Sequence, residues 1–169
     1  MKKIFLILMT AVITGTLFAQ SPAISTRYTD AEIDELILRF DRSRNWDVNT
    51  VNDVLAQRFR QDFPEARNVE WETNNEIYEV EFYIGHSEFE AFYDKDGNLL
   101  MYVQELLTRE LPDVVRNAAQ ARLPGYRFDD IEKVVKGTRT YFVIEMERGD
   151  QEYELVISNK GTILSEKRD

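Results

Sequence analysis

The second half of this chain repeats the first half without a gap. Residues Ile77–Leu100 align with Tyr141–Leu164 at a constant offset of 64 residues. Pairs of identical residues are Glu81 with Glu145, Gly85 with Gly149, Glu88 with Glu152, Glu90 with Glu154, Gly97 with Gly161 and Leu100 with Leu164. Such a repeat predicts two copies of one supersecondary unit.

Helical spacing of apolar residues precedes the aligned stretch. A capping box at Thr29 and the apolar residues that follow it predict a first helix at about 30–43. Apolar residues at helical spacing predict a second helix at about 50–62. This helix must end before Pro64, because the residue before a proline disfavours the helical conformation. Its counterpart in the second copy lies 60 residues later and ends before Pro124.

Each copy then contains four short stretches in which apolar and polar residues alternate, the pattern of a strand with one buried face. The predicted strands are residues 69–71, 77–84, 87–94 and 98–104 in the first copy, and 131–135, 141–148, 152–158 and 162–167 in the second. We therefore predict an α+β fold, in which helices cover one face of an antiparallel sheet.

The alternation also predicts which side chains are buried. The predicted core residues are Val54, Leu55, Phe59, Tyr78, Val80, Phe82, Phe89, Ala91, Val115, Phe142, Ile144, Met146, Tyr153 and Leu155. The register of residues 99–103 stays open, because a bulge at Gly97 would exchange their faces relative to a two-residue turn.

Residues 1–19 have the pattern of a secretory signal peptide, with two lysines, an apolar run and the small Ala19 at the cleavage point. They predict a periplasmic or secreted protein that is not inserted in the membrane after cleavage. Residues 20–169 are predicted to form one domain of two repeats, at about 28–104 and 105–169.

Composition limits the classes of partner and of chemistry. Without the two leader lysines the chain has 19 basic and 31 acidic residues, a net charge of −12. This charge argues against nucleic acid and against anionic membrane surfaces, and it is compatible with a basic protein or peptide, with cations, or with solubility alone. The chain has no cysteine and one histidine, His86, and it lacks the familiar nucleophile and phosphate-loop motifs. We predict that it is not an enzyme and uses no cofactor and no metal.

The segment Asp94-Lys95-Asp96-Gly97 is similar to the start of a calcium loop. A calcium loop needs further oxygen ligands and a distal glutamate, which the following residues do not supply. The second copy, Ser158-Asn159-Lys160-Gly161, keeps the glycine and loses both acids. The segment is therefore predicted to be a structural turn.

Glutamates and aromatic residues occupy the strand positions that face away from the predicted core. If residues 85–86 form a two-residue turn, Glu81 lies opposite Glu90, and in the second copy Glu145 lies opposite Glu154. Like charges in these positions destabilise a strand pair, so something must offset the cost. The predicted binding face, with exposed carboxylates, consists of Glu79, Glu81, Tyr83, Glu88, Glu90, Phe92, Tyr141, Glu145 and Glu154.

Three interpretations of this face stay open. Cations such as Lys133 or Lys136, or water alone, neutralise it, and it has no special role. Alternatively it binds a basic protein or peptide, with aromatic contacts that include Trp71 unless that residue belongs to the core. In a third interpretation the protein is an envelope sensor, and the paired glutamates bind a cation or a small cationic ligand.

Short motifs in both copies resemble one family of exported proteins. The motifs are Phe63-Pro64-x-Ala66-x-x-Val69-x-Trp71-Glu72, Tyr78-Glu79-Val80-Glu81-Phe82, Phe92-Tyr93-Asp94-x-Asp96-Gly97 and Leu123-Pro124-Gly125-Tyr126. Over about Val48 to Glu166 the chain resembles the PepSY-like, beta-lactamase-inhibitor-like proteins of Gram-negative bacteria.

The resemblance implies a tandem repeat of a helix plus a four-stranded antiparallel sheet, forming one curved eight-stranded sheet with the helices on one face. The resemblance implies little about activity. The acidic and aromatic face on a scaffold without catalytic residues predicts an exported non-enzymatic binding protein, an inhibitor or escort of an envelope protein. A shared fold does not transfer function, and no inhibitory residue is assigned because no turn of this chain matches one.

Overall fold

The structure is a computed structural model that describes residues 21–42, 51–74 and 76–168. The helices are α1 (Asp30–Arg42), α2 (Asp53–Asp62) and α3 (Asp113–Arg122), with a 3-10 turn at Thr108–Glu110. The strands are β1 (Arg67–Thr73), β2 (Ile77–Ile84), β3 (Ser87–Asp94), β4 (Leu99–Glu105), β5 (Arg127–Lys136), β6 (Arg139–Arg148), β7 (Gln151–Ser158) and β8 (Ile163–Arg168). The predicted leader, the last residue of the predicted first helix and the first residue of the predicted second helix lie outside the described residues.

All eight strands form one open sheet in the order β1 to β8, each antiparallel to its neighbours. This arrangement confirms the predicted α+β fold. The two repeats join where β4 pairs with β5. Among the described helices, none is both long enough and apolar enough to cross a bilayer.

Strand register is the same in the two repeats. The β2–β3 and β6–β7 connections are two-residue turns, as predicted, with Ile84 opposite Ser87 and Arg148 opposite Gln151. The register that the sequence left open contains a bulge, because β4 slips by one residue against β3 at Phe92. β8 slips in the same way against β7.

Helices α2 and α3 pack on one face of the sheet, which we call the helical face. The first core joins Leu55, Phe59, Phe63, Val80, Phe82, Ala91, Tyr93, Leu99 and Tyr102. The second core joins Leu111, Val115, Ala119, Leu123, Ile131, Phe142, Ile144, Met146, Leu155 and Ile157. Each core therefore pairs one helix with the strands of its own repeat.

Helix α1 departs from the prediction that the helices share one face. Its Ile33 and Phe40 are buried against Ile77, Phe92 and Leu100. Phe92 alternates along β3 with Ala91 and Tyr93 of the first core, so it points to the opposite face. We call this opposite face the front face; α1 covers one end of it because its apolar stripe finds apolar strand residues there.

The predicted core is largely confirmed. Leu55, Phe59, Val80, Phe82, Ala91, Val115, Phe142, Ile144, Met146 and Leu155 are buried. Tyr78, Phe89 and Tyr153 are only half-buried, at the margins of the two cores. Val54 was wrongly predicted and is 68% exposed. Leu55 and Phe59, one turn apart, face the sheet, and Val54 is rotated away from that stripe by about 100°.

Candidate functional site

The structure brings the predicted glutamates together on the front face. Glu81 lies opposite Glu90 and Glu145 lies opposite Glu154, so the predicted pairing is confirmed. Glu81 is exposed, whereas the other predicted carboxylate residues, Glu79, Glu88, Glu90, Glu145 and Glu154, are half-buried. The predicted solvent exposure is therefore met by Glu81 and only in part by these five, because each lies within the sheet between neighbouring side chains.

The predicted aromatic contacts divide into three groups. Phe92 was wrongly predicted as a contact, since it is 6% exposed and its ring meets Phe40 of α1 edge-on at 6.3 Å. Tyr141 is half-buried on the front face. Tyr83 is accessible there and donates a hydrogen bond from its hydroxyl to Glu88 Oε2 at 2.6 Å. Trp71, left open by the sequence, packs with the first core.

Sequence reasoning missed the centre of the site, which lies where the repeats join. β4 and β5 place Glu105 opposite Glu132, between the two predicted pairs. Together with Glu88, Glu90, Val103 and Asp130 they line a shallow depression of about 310 Å³. The period-2 pattern of β5 contains the signal for Glu132, but finding its neighbours requires knowing that β4 pairs with β5. We call Glu81, Glu88, Glu90, Glu105, Glu132, Glu145 and Glu154 the acidic face.

Partial burial and mutual repulsion change the acidity of this surface. The pKa of Glu132 is raised to about 7, first because burial penalises its charge and then because Asp130, Glu90, Glu145 and Glu154 repel it. The pKa values of Glu81, Glu90 and Glu145 are raised as well, with burial as the largest cause and neighbouring acids as the next. Both repeats therefore contribute to one electrostatic cluster.

Neither lysine expected to neutralise the glutamates does so. Lys136 forms an ion pair with Asp34 of α1. Lys133 follows Glu132 on β5, so its side chain points to the opposite face of the sheet. It lies in a groove of the helical face, beside Phe89 and Tyr102. Within the described residues, Glu81, Glu90, Glu132 and Glu145 form no ion pair. The charge of these four glutamates is thus uncompensated by the described chain, whereas Glu154 lies opposite Lys167 of β8.

Among the residues that the structure describes, two groups of carboxylates have the spacing of cation ligands, one in each repeat. The first consists of Glu79, Glu81 and Glu90, and the second of Asp129, Glu145 and Glu152; in each, one oxygen per residue lies within 4.8 Å of the others. Asp129 was absent from the predicted face, because the irregular pairing of β5 between Phe128 and Ile131 determines where it lies.

Comparison with known proteins identifies the fold. No family model and no curated protein matches the chain. A crystal structure of a DUF2874 family protein from Bacteroides uniformis has 16% identity and a TM-score of 0.64, with 70% of this chain and 90% of that chain covered. A BLIP-like protein from Bacteroides fragilis has 24% identity and a TM-score of 0.63, with 71% and 87% covered.

A third similar structure comes from Bacteroides eggerthii, and its name provisionally describes it as a periplasmic protein. It has 16% identity and a TM-score of 0.64, with 71% of this chain and 90% of that chain covered. At such identities the likeness shows a BLIP-like fold alone. The finer resemblance to PepSY-like proteins stays a prediction.

Proposed function

We propose that the protein is an exported, non-enzymatic binding protein whose acidic face receives a basic segment of an envelope protein. One observation carries this proposal: Glu81, Glu90, Glu132 and Glu145 share a surface on four strands without a cationic partner among the described residues. Export is supported by the predicted leader and by the name of the Bacteroides eggerthii structure. An inhibitory role is supported only by a neighbour's BLIP-like name.

A basic partner would reverse the unfavourable electrostatics of this surface. Lysine or arginine side chains placed among the glutamates replace repulsion with attraction and lower the raised carboxylate pKa values. Exposed Tyr83 adds apolar area beside the charges. Association should therefore be fast at low ionic strength and slow markedly as salt screens the charges.

Partner capture with two matched variants tests the proposal. The double variant Glu132→Gln, Glu145→Gln removes two carboxylates from the acidic face. The control Glu65→Gln, Asp150→Asn removes two exposed carboxylates from a helix–strand connection and a hairpin turn. We expect the control to capture the same partner as wild type and the acidic-face variant to capture at least about tenfold less. Equal capture by all three proteins would refute a role for the acidic face.

A cation sensor is the second candidate function, and the two carboxylate triads favour it. Oxygen ligands in such groups suit calcium or magnesium. Calorimetry with each metal at millimolar concentration tests this candidate, with Glu81→Gln and Glu145→Gln reporting on one triad each. A heat of metal binding that both substitutions reduce would support the cation sensor. If the wild-type protein shows no heat of binding, this candidate function is refuted.

A further inference from the structure

Helix α1 shows what kind of ligand one end of the front face accepts. Its Ile33 and Phe40 contact a patch formed by Ile77, Phe92 and Leu100, which we call the first patch. All five side chains are at most 6% exposed. The first patch therefore holds an amphipathic helix by apolar contact, reinforced at the helix start by ion pairs.

The second repeat has an equivalent patch at the same positions of its sheet. The offset of 64 residues relates Ile77, Phe92 and Leu100 to Tyr141, Val156 and Leu164, which we call the second patch. Strand register supports each equivalence: Ile77 pairs with Asp94 as Tyr141 pairs with Ser158. Leu100 is the bulged residue of β4, where the register against β3 shifts after Phe92. Leu164 is the bulged residue of β8, where the register against β7 shifts after Val156.

The two patches differ in what covers them. Leu100 is fully buried under α1, whereas Leu164 is 57% exposed. Tyr141 and Val156 are half-buried, in contrast to the buried Ile77 and Phe92. Val143, which replaces Glu79 of the first repeat, adds apolar area beside the second patch. None of the three buried clusters of the described residues joins a helix to Tyr141, Val156 or Leu164.

Charge distinguishes the helices that the two patches would accept. The start of α1 is acidic and pairs Asp34 with Lys136 and Asp30 with Arg139, at the β5–β6 turn. At one end of the second patch Tyr141 lies beside Lys136, whose charge Asp34 already pairs. At the other end the patch adjoins Glu145 and Glu154 of the acidic face. A helix on the second patch therefore needs an apolar stripe like that of α1 and basic residues toward the glutamates.

We propose that the second patch binds a basic amphipathic helix of the partner protein, in the manner in which the first patch binds α1. This inference rests on the proposed function and adds the secondary structure of the partner segment and its position. Burial of an apolar helix stripe supplies affinity, and the adjacent acidic face selects the charge of the helix.

Two synthetic peptides serve as probes for the full mature protein. One has the sequence of Asp30–Arg42, and the other has every aspartate and glutamate of that sequence replaced by lysine. Binding is measured by calorimetry, and ¹⁵N NMR shift changes locate it. We expect the lysine peptide to bind with shifts at Val143, Val156 and Leu164, and the unmodified peptide to bind at least about tenfold more weakly.

Matched variants test whether the second patch is responsible. Leu164→Asp places an unpaired charge in the patch, and we expect about tenfold weaker binding of the lysine peptide. Val54→Asp, at a more exposed valine of the helical face, is the control and should bind like wild type. Leu164→Ala, which adds no charge, should show a smaller loss, and thermal unfolding verifies that all three variants fold.

Several outcomes would overturn the proposal: no binding of the lysine peptide at about 1 mM, shifts confined to the first patch, or equal affinity with Leu164→Asp. A wild-type dimer that Leu164→Asp dissociates would identify a second copy as the occupant and also overturn it. The proposed function is tested separately. A captured partner weakened by Glu132→Gln, Glu145→Gln but unaffected by Leu164→Asp would leave that function standing while refuting the helix site.

Discussion

The two repeats have the same strand register but different cores. The first core is aromatic: the rings of Phe59 and Phe63 lie 5.0 Å and 4.6 Å from that of Phe82. In the second core the equivalent residues are Ala119, Leu123 and Met146. The backbone arrangement therefore does not depend on one set of interlocking rings.

At one pair of positions the two cores exchange volume between helix and strand. In the first repeat the helix contributes Phe59 and the sheet contributes the small Ala91. In the second repeat the helix contributes Ala119 and the sheet contributes Leu155 at the equivalent position. Close packing at this point of the layer can therefore be reached with the larger side chain on either the helix or the strand.

Truncation at the equivalent positions Phe82 and Met146 should give the largest effect. Phe82→Ala removes a fully buried ring from the aromatic core and should cost about 3–5 kcal/mol of unfolding free energy. Met146→Ala should cost about 2–4 kcal/mol, because the flexible thioether leaves a smaller cavity. Urea unfolding at equilibrium measures both. A larger loss for Met146→Ala would contradict the greater dependence of the first repeat on aromatic packing.

Substitutions in the equivalent turns at Asp94 and Ser158 should have the next largest effect on the free energy of unfolding. Asp94 is 3% exposed, and its carboxylate accepts hydrogen bonds from the amides of Asp96 and Asn98 and from the hydroxyl of Tyr28. Asp94→Ala should cost about 1.5–3 kcal/mol, since these bonds go to a charged acceptor. Ser158→Ala, at the neutral equivalent, should cost about 1 kcal/mol. Thermal unfolding with matched buffers compares the two, and equal losses would show that the carboxylate contributes nothing beyond a hydroxyl.

Volume exchange itself can be tested in the second repeat. Ala119→Phe inserts a ring opposite Leu155 and should cost about 1–3 kcal/mol through overpacking. The double variant Ala119→Phe, Leu155→Ala imitates the first repeat and should recover most of that loss. A double-mutant cycle from urea unfolding gives the coupling between the two sites. Purely additive losses would show that the two side chains do not share one space.

The smallest effect concerns Glu132, where the repeats meet. Its pKa is about 7 in the folded protein, above the ordinary 4.5, so folding becomes less favourable as pH rises from about 4.5 to 7. Glu132→Gln removes this penalty. The variant should match wild type near pH 4 and be more stable above pH 7, by on the order of 1 kcal/mol because solvent screens a half-buried charge. Urea titrations across this pH range measure the difference, with Glu65→Gln as the control; a pH-independent difference would contradict the raised pKa.

Strand pairing within each repeat could be predicted because residue period, turn glycines and the repeat agree. Glu81 opposite Glu90 and Glu145 opposite Glu154 follow from two-residue turns, which involve only neighbouring residues. The position of α1 could not be predicted in this way. Its apolar stripe shows that it packs on the sheet, but both faces at that end offer apolar residues.

By itself, the sequence determined the strands, the helix spans, most of the core and the paired glutamates, since local period and turn chemistry specify them. Only the tertiary structure decided that β4 pairs with β5, which brings Glu132 between the two pairs, and that α1 covers Phe92 while Leu164 is exposed. These features depend on contacts between residues far apart in the chain, where packing and charge select among arrangements that local patterns allow equally.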